Sequence, residues 1–305
     1  MNAPRLLVYS VYLIKQKDIS MKIGIDSYCF HRYFGEIYDN QKDPGEKITY
    51  EGFLNRAIEL GVDGVSLETC FFDSLDEDYL KGLKEIMDKG GLECIVAWGH
   101  PMGLEGGENL DAVVDMEKHF QTCKIMGTDI LRMVGSHYGL RNTPHRPQME
   151  KLVKIMKESV KRAEDQDIKR AMENHYDFTC DEMFEMFETI SSNHFGMTLD
   201  TGNALRYGDD PVEAVKRLGK YIYALHLKDV DTFDGGNPED WFYYACTAIG
   251  AGQVDMPSLC ETLDKCGYDG IYAIEFDYLH PKHADEDSAL AESVDYLKKL
   301  KMQMR

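Results

Sequence analysis

The sequence predicts a single (β/α)8 TIM barrel of the α/β class, on three observations. Eight short runs rich in Val, Ile, Leu and Met alternate with amphipathic segments, the pattern of strands joined by crossover helices. The runs are near-continuously apolar, as parallel strands buried on both faces must be. A doubly wound open sheet would carry a Gly-rich phosphate fingerprint after its first strand, and Ser27-Tyr28-Cys29-Phe30-His31 stands there instead.

The strands are predicted at 22–26, 62–69, 92–99, 129–135, 170–175, 196–202, 222–229 and 270–277. The first helix puts Phe53, Ala57, Ile58 and Leu60 on one face before Gly61 ends it. Leu80, Leu83, Ile86 and Met87 repeat that spacing before Gly90-Gly91, and Val113, Met116, Phe120 and Cys123 do so before Gly127. Leu152, Ile155, Met156 and Val160 make the fourth apolar stripe, and Met183, Phe184 and Phe187 the fifth. Pro211 and Pro257 suit the opening turns of the sixth and seventh helices, and Gly267 ends the seventh. The last helix is predicted at about 287–301.

At 305 residues and 43% hydrophobic, the chain has ample material for one large core. A formal net charge of −20 opposes the phosphate backbone, so no nucleic-acid partner is expected. The eight cysteines form no CxxC pair and read as reduced, mostly buried thiols of a cytoplasmic protein. Residues 1–20 precede Met21-Lys22-Ile23-Gly24-Ile25-Asp26, which reads as a start running into a strand. The apolar stretch 6–14 is too short to span a bilayer, and no clear small-residue cleavage site follows it. The expectation is a flexible extension over 1–20, a barrel over 21–305 and no membrane partner.

Function in such a barrel sits at the C-terminal ends of the strands. There the fifth strand carries Glu173 in Met-Glu-Asn-His, the sixth Asp200 in Thr-Leu-Asp-Thr-Gly-Asn, the seventh His226 in Leu-His-Leu-Lys-Asp, and the eighth Glu275 in Ile-Glu-Phe-Asp. Each is an ionisable residue in apolar sequence, where an unpaired charge is costly. Three carboxylates and an imidazole on one rim offset that cost if a single divalent cation lies between them. The oxygen-rich set favours Mn²⁺ or Mg²⁺, with Co²⁺ or Zn²⁺ also compatible. Buried salt bridges are the alternative for any one residue, but four on consecutive strands favour metal.

Further strand-end residues are candidates for contacting substrate: Glu68 on the second strand, Trp98 and His100 on the third, His137 after the fourth, His175 on the fifth and Lys228 on the seventh. Tyr28, Phe30 and Trp241 join Trp98 as candidates for an apolar wall. The stretch 231–248, with Trp241-Phe242-Tyr243-Tyr244, reads as an insertion that covers the site or contacts a partner subunit.

These motifs, with the loop Gly250-Ala251-Gly252-Gln253-Val254-Asp255, make residues 21–300 resemble the xylose-isomerase-like barrel superfamily of sugar phosphate isomerases and epimerases. The resemblance implies a ketose 3-epimerase or aldose–ketose isomerase type of site. There Glu173 and Glu275 would bind the metal and also act as an acid/base pair through an enediolate. A lyase of the same superfamily fits as well: an inosose or 3-dehydroshikimate type dehydratase, or a C-glycoside-cleaving barrel with a small partner subunit. An apurinic endonuclease is disfavoured, because Asn203 stands where that family would place a histidine and no Asp-x-His pair follows His226. Relatives are often homo-oligomers, and that expectation is analogy alone.

Overall fold

Strand β1 (Lys22–Asp26) pairs on one side with β2 (Gly64–Glu68) and on the other with the last barrel strand. The computed structural model describes residues 21–304, so the predicted extension 1–20 lies outside the described residues. The wall continues through β3 (Glu93–Ala97), β4 (Ile130–Val134), β5 (Lys169–Glu173), β6 (Phe195–Asp200) and β7 (Ile222–Leu227). It closes at β10 (Ile271–Ile274), every neighbouring pair being parallel. Between β7 and β10 the chain departs from the simple alternation. There β8 (Asp229–Thr232) and β9 (Tyr244–Thr247) form a separate antiparallel ribbon.

The flanking helices are α1 (His31–Phe34), α2 (Tyr50–Leu60), α3 (Glu77–Gly90), α4 (Leu110–Met126), α5 (His145–Asp165), α6 (Cys180–Ile190), α7 (Thr201–Tyr207), α8 (Pro211–Leu218), α9 (Met256–Cys266) and α10 (Glu286–Gln303). Their starts follow local chemistry. The Thr49, Asn109, Asp210, Asp255 and Asp285 side chains cap the first backbone N–H groups, which otherwise lack partners. Thr179 and Glu182 form a reciprocal capping box on α6. Gly61, Gly127 and Gly267 end α2, α4 and α9 at positive φ, where a Cβ would be strained.

The outward faces of the strands and the inward stripes of the helices make one continuous core, including Phe53, Leu83, Met116, Leu199, Leu225 and Leu297. A second, small cluster of Ile95, Ala171, Ala224, Ile271 and Ala273 fills the barrel interior. Among the described residues no helix is long and apolar enough to cross a membrane.

Candidate metal centre

Side chains alternate along a strand with period two, and this decides what stands above the interior cluster. Ala171, Ala224 and Ala273 plug the barrel, and the same strands next present Glu173, His226 and Glu275 to the same side. On β6 Asp200 follows Thr198 in the same way. One ligand atom each from Glu173, Asp200, His226 and Glu275 lie within 4.8 Å of one another, and all four side chains are buried.

These atoms do not satisfy one another. His226 Nδ1 lies 2.6 Å from Glu275 Oε2 and 3.2 Å from Glu173 Oε2, yet neither contact has hydrogen-bond geometry. Asp200 Oδ2 is 2.9 Å from Lys228 Nζ and is also without a directional partner. Buried polar atoms are almost always paired, so the unpaired atoms of Asp200, His226 and Glu275, converging beside Glu173, fit a metal ion.

Charge points the same way. Asp26, Glu68, Glu173, Asp200, Glu275 and Asp277 are buried carboxylates and, among the described residues, pair with Arg132, Arg206 and Lys228 as permanent cations. Burial pushes Asp26 up to about 6, Asp200 to about 7 and Glu68 to about 8, so protons gather where positive charge is short. A divalent cation would supply the missing charge. Three carboxylates and one imidazole suit Mn²⁺, Mg²⁺, Co²⁺ or Zn²⁺.

The ligands are held unequally. Arg132 Nε and Nη2 each lie 2.5 Å from Glu173 Oε2, and Asn203 Nδ2 donates to Oε1 at 3.1 Å. Burial opposes ionisation of Glu173, but the Arg132 guanidinium outweighs it and holds the carboxyl well below the usual range. For Glu275, burial is outweighed by His226 and Lys228, and its value falls to about 2. Asp200 serves twice: Oδ1 accepts from Asn203 N at 2.8 Å and caps α7, while Oδ2 faces the cluster. Asn174 clamps the backbone of Asp200, donating to its carbonyl at 2.9 Å and accepting from its N–H at 2.8 Å.

Behind His226, Asp26 Oδ2 stands 3.5 Å from Nε2, while Asp26 Oδ1 accepts from Tyr28 N at 2.6 Å. A carboxylate in that place would favour the orientation of the imidazole that offers Nδ1 to a metal held by the cluster. Lys228 Nζ lies 3.0 Å from Asp277 and 3.4 Å from Glu275. Arg206 forks onto Asp277 at 2.5 and 2.9 Å and reaches Asn203 Oδ1 at 3.2 Å, closing a polar ring back to Glu173. The loop at 250–255 has a separate task. Asp229 accepts from the N–H groups of Gly250, Gly252 and Val254 at 2.9, 2.9 and 3.1 Å, which fastens that loop beneath the ribbon.

Of the residues predicted to contact substrate, Lys228 joins the cluster directly. Glu68 joins through Arg132, at 3.4 Å. His175 is kept neutral, burial lowering it to about 4, and its buried Nδ1 has no hydrogen-bond partner. His100 and His137 do not reach the cluster; their Nδ1 atoms accept from Met102 N and Gly139 N and shape their own turns. The expected wall needs correction at two places. Trp98 is fully enclosed, its indole N–H donating to Asp115 at 3.1 Å, and Phe30 packs on Phe53 in the core. Trp241 instead spans the barrel mouth, between Tyr38 on one side (ring centroids 5.1 Å) and Tyr176 on the other (6.5 Å). Asp26, Arg132, Arg206 and Asp277 were missed by sequence reasoning. For Arg132 a signal existed, a guanidinium inside the apolar run of β4.

The chain is similar to known proteins in part of its sequence and throughout its fold. Inosose dehydratase from Geobacillus kaustophilus is 29% identical over 131 residues, 40% of this chain and 40% of that protein. The curated relatives it matches are spanned over only 36–43% of their length. An L-ribulose 3-epimerase structure superposes with a TM-score of 0.71 at 15% identity, covering 93% of this chain and 96% of that one. The IOLI protein with a bound zinc atom does so with a TM-score of 0.71 at 17% identity, covering 93% and 99%. The family model for the xylose isomerase-like TIM barrel matches residues 54–300. The chain belongs to the xylose isomerase-like TIM-barrel family.

Proposed function

We propose that this protein is a divalent-metal-dependent enzyme that removes a proton beside the carbonyl of a sugar or cyclic polyol, giving an enediolate. The observation that carries the reading is the buried layer of Glu173, Asp200, His226 and Glu275, whose donor atoms converge without satisfying one another. A bound divalent ion supplies Lewis acidity, which makes a C–H between a carbonyl and a hydroxyl easier to ionise. Glu275 is the base, its Oε2 having no hydrogen-bond donor assigned to it. Lys228 stands beside it as a cation able to hydrogen-bond a developing or departing oxyanion.

Two fates follow. In an isomerase or epimerase, Glu173 and Glu275 form an acid/base pair and the proton returns to the opposite face or adjacent carbon. In a lyase, a β-substituent leaves. One observation favours the lyase: both oxygens of Glu173 already hold donors, from Arg132 and Asn203, which suits it poorly to carry the returning proton. The partial match to inosose dehydratase supports the same fate.

The test loads the protein with Mn²⁺ and incubates it in D₂O with ketoses, inososes and dehydroshikimate. Loss of water marks the lyase, and deuterium at one carbon without other mass change marks the isomerase. Glu275→Gln should abolish either. Full turnover in that variant, or no metal retained by elemental analysis after Mn²⁺ loading, overturns the reading.

A further inference from the structure

The Arg206 side chain is buried near the end of α7, and its guanidinium donors are spent on protein acceptors. Nε and Nη2 donate to the Tyr244 carbonyl at 2.9 and 2.6 Å. Nη1 and Nη2 fork onto Asp277 at 2.5 and 2.9 Å, and Nη1 also reaches Asn203 Oδ1 at 3.2 Å. A guanidinium has five N–H donors, so none is left for a substrate. Whatever Arg206 contributes to a reaction passes through these partners.

The partners belong to two different parts of the molecule. Tyr244 opens β9, directly after the connection that carries Trp241, and this ribbon is separate from the barrel wall. Asp277 stands two residues after Glu275, beside the ligand layer. Lys228 Nζ lies within 3.4 Å of Asp200, Asp277 and Glu275. Of these contacts, the one to Asp277 Oδ2 at 3.0 Å has hydrogen-bond geometry, whereas Asp200 Oδ2 and Glu275 Oε2 are without a directional partner. Asp277 therefore aims the ammonium, and Arg206 holds Asp277 by both of its oxygens. Helix α7 sets Arg206 in place: Asp200 caps it, and Asn203 and Arg206 follow at intervals of three, the spacing of one helical face.

We infer that Arg206 is a positioning residue: it seats the ribbon that carries the Trp241 loop and, through Asp277, aims the Lys228 ammonium, so that one guanidinium sets both. The inference rests on the proposed enolisation reading for what Lys228 does, which is to hydrogen-bond an oxyanion. A lysine cannot replace Arg206. One ammonium does not span both oxygens of Asp277 and the Tyr244 carbonyl, as the planar fork does. Without the fork, Asp277 is free to turn with Lys228, the ammonium loses its fixed direction, and β9 loses its tie to α7.

The experiment measures binding of acetohydroxamate, a small chelator whose two adjacent oxygens imitate an enediolate, to the Mn²⁺-loaded full-length protein by calorimetry. The forms compared are the wild type, Arg206→Lys, Lys228→Met and the double variant, with Arg206→Met as a second replacement and melting curves as the fold control. Arg206→Lys should weaken the probe at least about fivefold, within the range of coupling for groups in one network. The double variant should bind no more weakly than Lys228→Met alone, because Arg206 acts on the probe through Lys228. Acrylamide quenching reads the ribbon without any activity. The chain has two tryptophans and Trp98 is fully enclosed, so the accessible emission is that of Trp241. Quenching should rise in Arg206→Lys and Arg206→Met and stay at the wild-type level in Lys228→Met. A cycle that holds while no substrate exchanges deuterium refutes the enolisation reading and leaves this inference standing. Probe affinity in Arg206→Lys equal to the wild type, a loss that persists in full beside Lys228→Met, or quenching unchanged in both Arg206 variants overturns it.

Discussion

Replacing Asp26 by Asn should weaken metal binding without unfolding the barrel. The carboxylate Oδ2 lies 3.5 Å from His226 Nε2, and both groups are fully buried. At that separation, and at the effective dielectric that suits buried groups, the gross attraction between the carboxylate and an imidazole made positive by its metal is about 5 kcal/mol. Part of this is lost to desolvation of the carboxylate, and the one oxygen of Asn stays with Tyr28 N, which leaves its NH2 toward Nε2 in place of the carboxylate oxygen. Losses for such outer partners are about 10- to 100-fold in affinity, or about 1.4–2.7 kcal/mol. Asn also keeps the oxygen that accepts from Tyr28 N, so the turn after β1 stays capped. The assay is a competition titration of Mn²⁺ against a chelator for the wild type and Asp26→Asn, with melting of the metal-free forms as the fold control. Affinities equal within about twofold, with matching melts, would refute the view that Asp26 orients the ligand.

Arg132→Met leaves Glu173 buried beside no cation but His226, and should cost about 3–5 kcal/mol in metal-free protein; denaturant titrations with and without Mn²⁺ should show the metal recovering part of that loss. Saturating metal, at about a thousand times its Kd, should stabilise the wild type by about 4 kcal/mol, read as a rise in melting temperature that Asp200→Ala lacks. Gly252→Ala places a Cβ 2.3 Å from Asp229 Oδ1 and 2.6 Å from the Val230 carbonyl, and should cost about 1–3 kcal/mol in chemical denaturation. His145 is raised above its ordinary value: burial opposes this, but the Arg141 carbonyl and Glu182 outweigh it. Its native state therefore holds the proton more tightly, so its contribution is complete below the unfolded value near 6.5 and fades as pH rises through the higher native one. Stability measured from pH 6 to 8 should fall by under about 1 kcal/mol on this account, and His145→Gln should remove that slope.

The barrel was legible because its strands are short, apolar and buried on both faces, and each of the eight barrel strands falls within about one residue of a predicted run, while β8 and β9 of the ribbon do not. The ligand layer was legible for a related reason: a lone ionisable residue in such a run needs a compensating partner. What lay beyond the sequence depends on neighbours far apart in the chain. Asp26 meets His226 only because the first strand ends level with the seventh, and Arg132 meets Glu173 only through the parallel register of β4 and β5. The β8–β9 ribbon has an eleven-residue connection, from Phe233 to Tyr243, so the turn signal Asp234-Gly235-Gly236 beside β8 does not join it to β9 as a tight hairpin. Helix α7 is not legible because its first residues, Thr201 and Gly202, continue the apolar run of the sixth strand through its cap, Asp200. For Trp98, standing at a strand end does not fix the direction of the side chain, and its ring turns outward to Asp115 on α4.

Trp241, lying across the mouth from Tyr38 to Tyr176, has a consequence for how the cofactor is acquired. With every candidate ligand buried, an ion coming through the mouth would have to pass the segment that carries Trp241. Its exchange would then depend on the motion of that segment as well as on the strength of the bonds that hold it.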